Sequence, residues 1–375
     1  MVWLLLAVAI LSPAQSRDTL RGRMEAIEAM PAEARDAAVR ALLDSAGATP
    51  IVSGEEALFL AKGIGVLRVV GDFNSGGGDP SAGLMKPVPA TAWAYRLERF
   101  RRDARIEYRI AHGEAPGSRD PHNPHTATTF GEEISVLRMP GYAAGPSMAG
   151  ALLAGRLETV VLRSRALDNN RLVTMYVPAN QTAAPVPIVY FGDGSLYLNE
   201  LRAHEVIDAL VESRSIPPIV AVFVPPVVRR DEYRRSEPFR TMMVSELVPL
   251  VEERTRAGGA RARRFLVGSS RGGLMSLDLA LAHPSVFAGA GLLSPALTGT
   301  DVLTDAAATS AMPLRVVIVE AEYDREWRAD AAAADKVLRQ AGHTVVRWPV
   351  PDGHNPTAWR AALPALLRAL LTPAR

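Results

Sequence analysis

The spacing of hydrophobic and polar positions changes twice along this chain, and each regime predicts a different kind of structure. From Arg17 to Ala48, Leu20, Met24, Ile27 and Met30, then Ala38, Leu42 and Leu43, recur at intervals of three or four with a break at Pro31. That spacing predicts two short helices over residues 17–48, packed on a neighbouring domain. From Thr49 the apolar stretches shorten to ALFLAKG, GVLRVVGDF, AWAYRLERF and RIEYRIAHG, divided by Gly, Pro, Asp and Asn. In the last of them Arg105, Glu107 and Arg109 alternate with Ile106, Tyr108 and Ile110, the period of a strand. Residues 49–146 are therefore expected to form a small all-β antiparallel sandwich. The stretch Gly141 to Gly155, rich in Gly, Ala and Pro, reads as a linker.

Beyond Leu157 the pattern changes again. ETVVLRS and NRLVTMYVP predict an antiparallel hairpin, after which apolar β-branched runs alternate with amphipathic stretches. The runs are PIVYFGD, PIVAVFVPP, RRFLVGSS, AGAGLLSP, LRVVIVEAE and TVVRWPV. The helical stretches are Ala203 to Ser213, Phe239 to Arg256, Gly272 to Ala282, Ala329 to Ala341 and Thr357 to Leu371. Short apolar strands alternating with helices build a buried, mainly parallel sheet, so residues 157–375 are expected to be an α/β domain. A chain of 375 residues suits two domains.

Composition narrows the chemistry. Hydrophobic residues at 48% and charged residues at 22% describe an ordinary folded protein with a sizeable core. Lys+Arg 42 against Asp+Glu 40 leaves a formal charge of +2, which is no basic footprint for nucleic acid. The absence of cysteine excludes disulfides, thiolate metal sites and cysteine nucleophiles. The opening MVWLLLAVAILSPAQS is an apolar run ending in small residues, which reads as a signal peptide over 1–16 with cleavage after Ala14 or Ser16. It is shorter than the roughly 20 residues a bilayer span needs. The expectation is an exported protein, periplasmic or secreted, with no membrane span after signal removal.

The sharpest motif is RRFLVGSSRGG, where Gly268, Ser270 and Gly272 form G-x-S-x-G between an expected strand and an expected helix. A turn this tight is expected to lift the serine oxygen above the sheet, while the helix start offers N–H groups to a developing oxyanion, the arrangement of a nucleophile elbow in an α/β-hydrolase fold. A serine nucleophile needs a base and an orienting acid, which follow in the order serine, acid, histidine. Of the histidines after Ser270, His283 sits at a helix end and His343 before a strand edge, where it is expected to be exposed. His354, in the loop VPDGHNP after the last strand, is the expected base. Glu320, Glu322, Asp324 and Glu326 crowd the end of LRVVIVEAE; Asp324 is chosen as the acid, with Glu322 and Glu326 left open. The loop after PIVYFGD supplies a second oxyanion donor, so the expected backbone pair is Ser195 with Arg271. Arg229, Arg230, Arg234 and Arg235 follow a strand end. They read either as a field for an anionic substrate or as a solvated helix start with Arg230 paired to Glu232 or Glu246. His122 and His125 lack a third ligand nearby, so no metal is expected, and no cofactor.

Four segments, FGDGSLY, ELVPLVEE, VGSSRGG and PDGHNPTAWR, resemble the putative-esterase family, which includes enterochelin (siderophore) esterases, feruloyl esterases, esterase D and mycolyltransferases. ALFLAKGIGVLRVVGDFN, RIEYRI and DPHNP are similar to the N-terminal immunoglobulin-like domain of enterochelin esterases. The resemblance implies metal-free ester hydrolysis on Ser270 and His354. The expected function is thus a serine esterase acting on a small-molecule ester, a siderophore trilactone or an aryl or sugar ester. The alternatives are acyl transfer from the same intermediate, a feruloyl or acetyl carbohydrate esterase, and a catalytically decayed binding protein.

Overall fold

The computed structural model describes residues 19–77, 79, 81–144, 153–179, 185–307 and 312–372. The expected signal peptide and most of the expected linker lie outside these residues. Contacts divide the chain into two compact units, one running to Ala127 and including Glu133–Ala143, the other comprising Thr128–Glu132 and Ala144–Arg375.

In the first unit the two expected helices are Leu20–Glu28 and Ala32–Ala46. The Thr19 hydroxyl caps the first by accepting the Gly22 N–H at 3.0 Å. Their buried residues Leu20, Met24, Ile27 and Val39 pack with Leu58, Leu60, Trp93 and Tyr95, so these helices cover a sheet of their own unit. Strands β1 (Ile51–Ser53), β2 (Glu56–Lys62), β3 (Leu67–Gly71), β4 (Lys86–Pro87), β5 (Trp93–Arg99), β6 (Arg105–His112), β7 (Thr126–Thr129) and β8 (Glu132–Arg138) form two four-stranded sheets. Their orders are β1-β2-β5-β4 and β3-β6-β8-β7. Phe59 of β2 meets Tyr108 of β6 edge-on, with ring centroids 4.9 Å apart, so the sheets share one core.

The second unit carries an eight-stranded mixed sheet in the order β16-β15-β14-β13-β11-β12-β10-β9. Its strands are β9 (Arg156–Ser164), β10 (Asn169–Val177), β11 (Ile188–Phe191), β12 (Val220–Phe223), β13 (Arg264–Ser269), β14 (Gly289–Leu293), β15 (Arg315–Ala321) and β16 (Thr344–Val350). β9 and β10 form the antiparallel hairpin, β10 runs antiparallel to β12, and the rest pair in parallel. Every residue of β11 and β12 is buried because helices cover both faces. Helices Ala203–Glu212 and Pro356–Leu371 pack on one face; Arg271–Ala282 and Arg328–Gln340 pack on the other.

Two expectations need correction. The single helix expected over Phe239–Arg256 is Glu237–Thr241, a π-helical turn Met242–Leu247, and Val248–Thr255. Pro249 is the reason: it has no N–H for the carbonyl four residues back and its ring crowds that turn, so the helix widens ahead of it. His343, expected at the surface, is buried at 5% exposure, and its Nδ1 accepts the Leu314 N–H at 3.0 Å.

Burial holds the His343 imidazole below its ordinary value of 6.5, so the folded protein keeps it neutral while the unfolded chain protonates it more readily. The stability this neutral ring contributes is present above pH 6.5 and is lost as the pH falls below it. The thermal midpoint should therefore decline below that pH, and more gently in His343→Gln. Because His204 is shifted in the same direction by burial, part of the slope remains. Parallel pH profiles for the two proteins would remove His343 as a source of the decline.

Candidate active site

Ser270 stands between β13 and helix Arg271–Ala282 at φ 54°, ψ −124°, a conformation a side chain holds only when its surroundings impose it. The surroundings are backbone. A Cβ on Gly268 would lie 2.1 Å from the Gly272 carbonyl oxygen, so strand and helix start can pass only as glycine. The Ser270 N–H donates to the Leu293 carbonyl at 2.8 Å, and the Ser270 carbonyl accepts from Gly273, Leu274 and Ala296 at 2.9, 3.3 and 3.1 Å.

His354 and Asp324 arrive from loops that follow β16 and β15. His354 Nδ1 lies 2.6 Å from Asp324 Oδ2, and the other carboxylate oxygen accepts the Trp327 N–H at 3.1 Å. The loops are laced together: the Glu322 N–H donates to the Val350 carbonyl at 2.9 Å and the Tyr323 N–H to that of Asp352 at 3.1 Å. Asn355 Oδ1 caps the last helix by accepting the Ala358 N–H at 2.9 Å, while its amide donates to Asp352 Oδ1 at 2.9 Å. Glu320, another acid of this strand end, is committed to Arg328 and Arg347. The Trp359 ring stands edge-to-face on His354 at 5.1 Å and donates its Nε1–H to Ser294 Oγ at 3.2 Å.

Ser270, His354, Trp359, Ser195, Asp193 and Arg229 line one cavity of about 500 Å³. Ser195 is in the first turn of helix Gly194–Asn199 and Arg271 is the first residue of its helix, positions whose N–H groups have no intrahelical acceptor. On either side of Ser195, the Gly194 N–H donates to Val224 at 3.0 Å and the Leu196 N–H to Asp193 at 2.8 Å.

The four arginines separate. Arg229 grips Asp193 through Nε and Nη2 at 2.6 and 2.8 Å. Arg235 is bound to Asp278 at 2.8 Å and also to Asp305. Arg234 lines a second cavity of about 500 Å³ with Arg271 and Trp327. The expected partners of Arg230 are engaged elsewhere. Glu232 is buried and forms a two-pronged pair with Arg171 of β10 at 2.9 and 3.1 Å, because its side chain turns inward to the sheet. Glu246 Oε1 accepts the Arg165 and Ala166 N–H groups at 3.0 and 3.1 Å. Asp193, Trp359 and Ser294 were not singled out from the sequence; the aspartate in FGDGS and the tryptophan five residues after His354 were the available signals.

A model of the family described as "Putative esterase" matches residues 164–375. The "Uncharacterized protein YbbA" of Bacillus subtilis is 28% identical over 33% of this chain and 56% of its own length. The "Iron(III) enterobactin esterase" of Escherichia coli O6:H1 is 26% identical over 45% of this chain and 43% of its own. The chain thus spans about half the length of the curated relatives it matches. The solved ferric enterobactin esterase of Salmonella typhimurium is 17% identical, with a TM-score of 0.72 over 88% of this chain and 98% of that one, a likeness of α/β-hydrolase fold.

Gly268→Ala tests the elbow. Its new methyl meets backbone on the facing helix, where nothing can swing aside, so the turn must deform at a cost of about 2 kcal/mol. A thermal midpoint several degrees below wild type is expected by circular dichroism; an unchanged midpoint contradicts the contact.

Proposed function

The chain belongs to the Putative esterase family, and from that premise we propose that it is a serine carboxylic ester hydrolase working through an acyl-enzyme on Ser270. One observation carries the reading. Ser270, held in its strained turn, shares a cavity with His354, whose Nδ1 is 2.6 Å from Asp324 Oδ2. In this reading His354 takes the Ser270 proton as the hydroxyl attacks the ester carbonyl, and Asp324 holds the imidazole in the tautomer that can accept it. The Ser195 and Arg271 N–H groups receive the oxyanion. Collapse expels the alcohol with the proton from His354; water, activated by the same imidazole, then releases the acid.

The substrate is a small-molecule ester of the siderophore-trilactone, aryl or sugar class. The relative named iron(III) enterobactin esterase supports the first of these. Residues 49–146 serve as an immunoglobulin-like domain, supported by the shared core of their two sheets, and residues 157–375 as the catalytic domain. No helix among the described residues is long and apolar enough to cross a membrane. Export rests on the apolar run 1–16; N-terminal mass analysis of the mature chain should begin at Gln15 or Arg17.

A fluorophosphonate probe should label Ser270, and Ser270→Ala should abolish both labelling and turnover of p-nitrophenyl acetate. Asp324→Asn should lower kcat by about a thousandfold or more, because the imidazole loses the acceptor that sets its tautomer. An intact mass unchanged by the probe refutes the nucleophile; full activity in Asp324→Asn refutes the acid.

A further inference from the structure

Asp193, Arg229 and Tyr233 take no step in the reaction above, yet they meet beside it. Asp193 stands at φ 51°, ψ 44°, left-handed backbone that a non-glycine residue keeps only under constraint. The constraint has three parts. The Arg229 guanidinium donates to both carboxylate oxygens at 2.6 and 2.8 Å. The Asp193 N–H donates to Tyr233 Oη at 2.6 Å. Gly272 lies against the carboxylate, close enough that a Cβ there would be 3.0 Å from Oδ2.

Tyr233 is the common floor. It is fully buried, and a Cβ on Gly192 would come 3.1 Å from its hydroxyl and one on Gly272 would come 3.9 Å from its ring. Burial pushes its hydroxyl well above the ordinary phenol range, so it remains a neutral acceptor for Asp193. Arg229 and Tyr233 are four residues apart, with the guanidinium 5.4 Å from the ring centre. One turn of chain therefore holds the loop that carries Ser195 and lies against the helix start that carries Arg271. It also neutralises a carboxylate that is 6% exposed and lines the Ser270 cavity. Left unpaired, that carboxylate would repel an oxyanion forming beside it.

We infer that Arg229 is a positioning residue: acting through Asp193, it sets the spacing of the two oxyanion donors and cancels the negative charge next to them. The inference rests on the serine-hydrolase reading of the site and adds to it the residues that hold the oxyanion donors in place. It also removes Arg229 from any cluster reserved for an anionic substrate, since both carboxylate oxygens of Asp193 already occupy its fork.

The test compares Arg229→Gln, Arg229→Lys and the double variant Arg229→Gln/Asp193→Asn with wild type. The readouts are kcat and KM for p-nitrophenyl acetate, the fluorophosphonate labelling rate and the thermal midpoint. Arg229→Gln should lower kcat about a hundredfold, the scale of one lost oxyanion donor, with KM unchanged and labelling slowed in step. Arg229→Lys, which keeps the charge without the fork, should fall between. The double variant should recover about tenfold or more over Arg229→Gln, because the stranded carboxylate is gone. A raised KM with unchanged kcat would make Arg229 a substrate contact and overturn the inference. So would a double variant no better than the single, with both losses tracking the thermal midpoint. A wild-type protein that neither labels nor turns over ester defeats the hydrolase reading itself, and the inference with it.

Discussion

Between β13 and the helix that follows it, two stretches of backbone approach so closely that a single methyl on Gly268 would overlap the Gly272 carbonyl. Much of the site depends on that approach. It forces Ser270 into a conformation that a side chain adopts only under constraint, at the start of a helix whose first N–H groups have no intrahelical acceptor. The strain is held rather than relieved, because the Ser270 carbonyl accepts from three N–H groups and its own N–H is anchored on β14. An elbow so fastened can present a hydroxyl without side-chain help, and its neighbours need only meet it.

The loops that carry Asp324 and His354 are tied to each other, and His354 lines the same cavity as Ser270. The segment after β15 donates the Glu322 and Tyr323 N–H groups to the carbonyls of Val350, at the end of β16, and Asp352 beyond it, and the last helix is capped by Asn355, the residue next to His354. The His354 ring is thus fixed from Asp324 at Nδ1 and by an edge-to-face contact with Trp359. Trp359 is in turn moored to Ser294, the residue after β14. Adjacent parallel strands end side by side, so short loops suffice to gather residues more than eighty positions apart.

Charge follows the same economy. An arginine-rich stretch that looks like one positive patch in the sequence is divided among separate acids: Arg229 with Asp193, Arg235 with Asp278 and Asp305, and Glu232 with an arginine on a distant strand. Partly buried pairs of this kind persist because removing either member strands the other. Their effect is to tie down the turn that flanks the cavity.

What could be read from the sequence was what depends on near neighbours. Apolar runs bounded by turns marked β11 to β15 because strands buried on both faces can be little else. The glycine spacing around Ser270 was legible because the steric demand it meets arises within five residues. The π-helical turn before Pro249 arises from an equally local demand, although apolar spacing alone predicts a continuous helix there. Tertiary structure alone decided the rest. Among the acids after β15, the one facing His354 depends on how two loops thirty residues apart are laced, and no local pattern encodes that lacing. His343 is buried because Leu314, on the neighbouring strand's approach, supplies an N–H to its ring. Arg229 belongs to Asp193 because folding sets a helix turn beneath a loop thirty-six residues earlier. Local sterics can specify a backbone; which side chains face one another across it is settled only when the strands are in order.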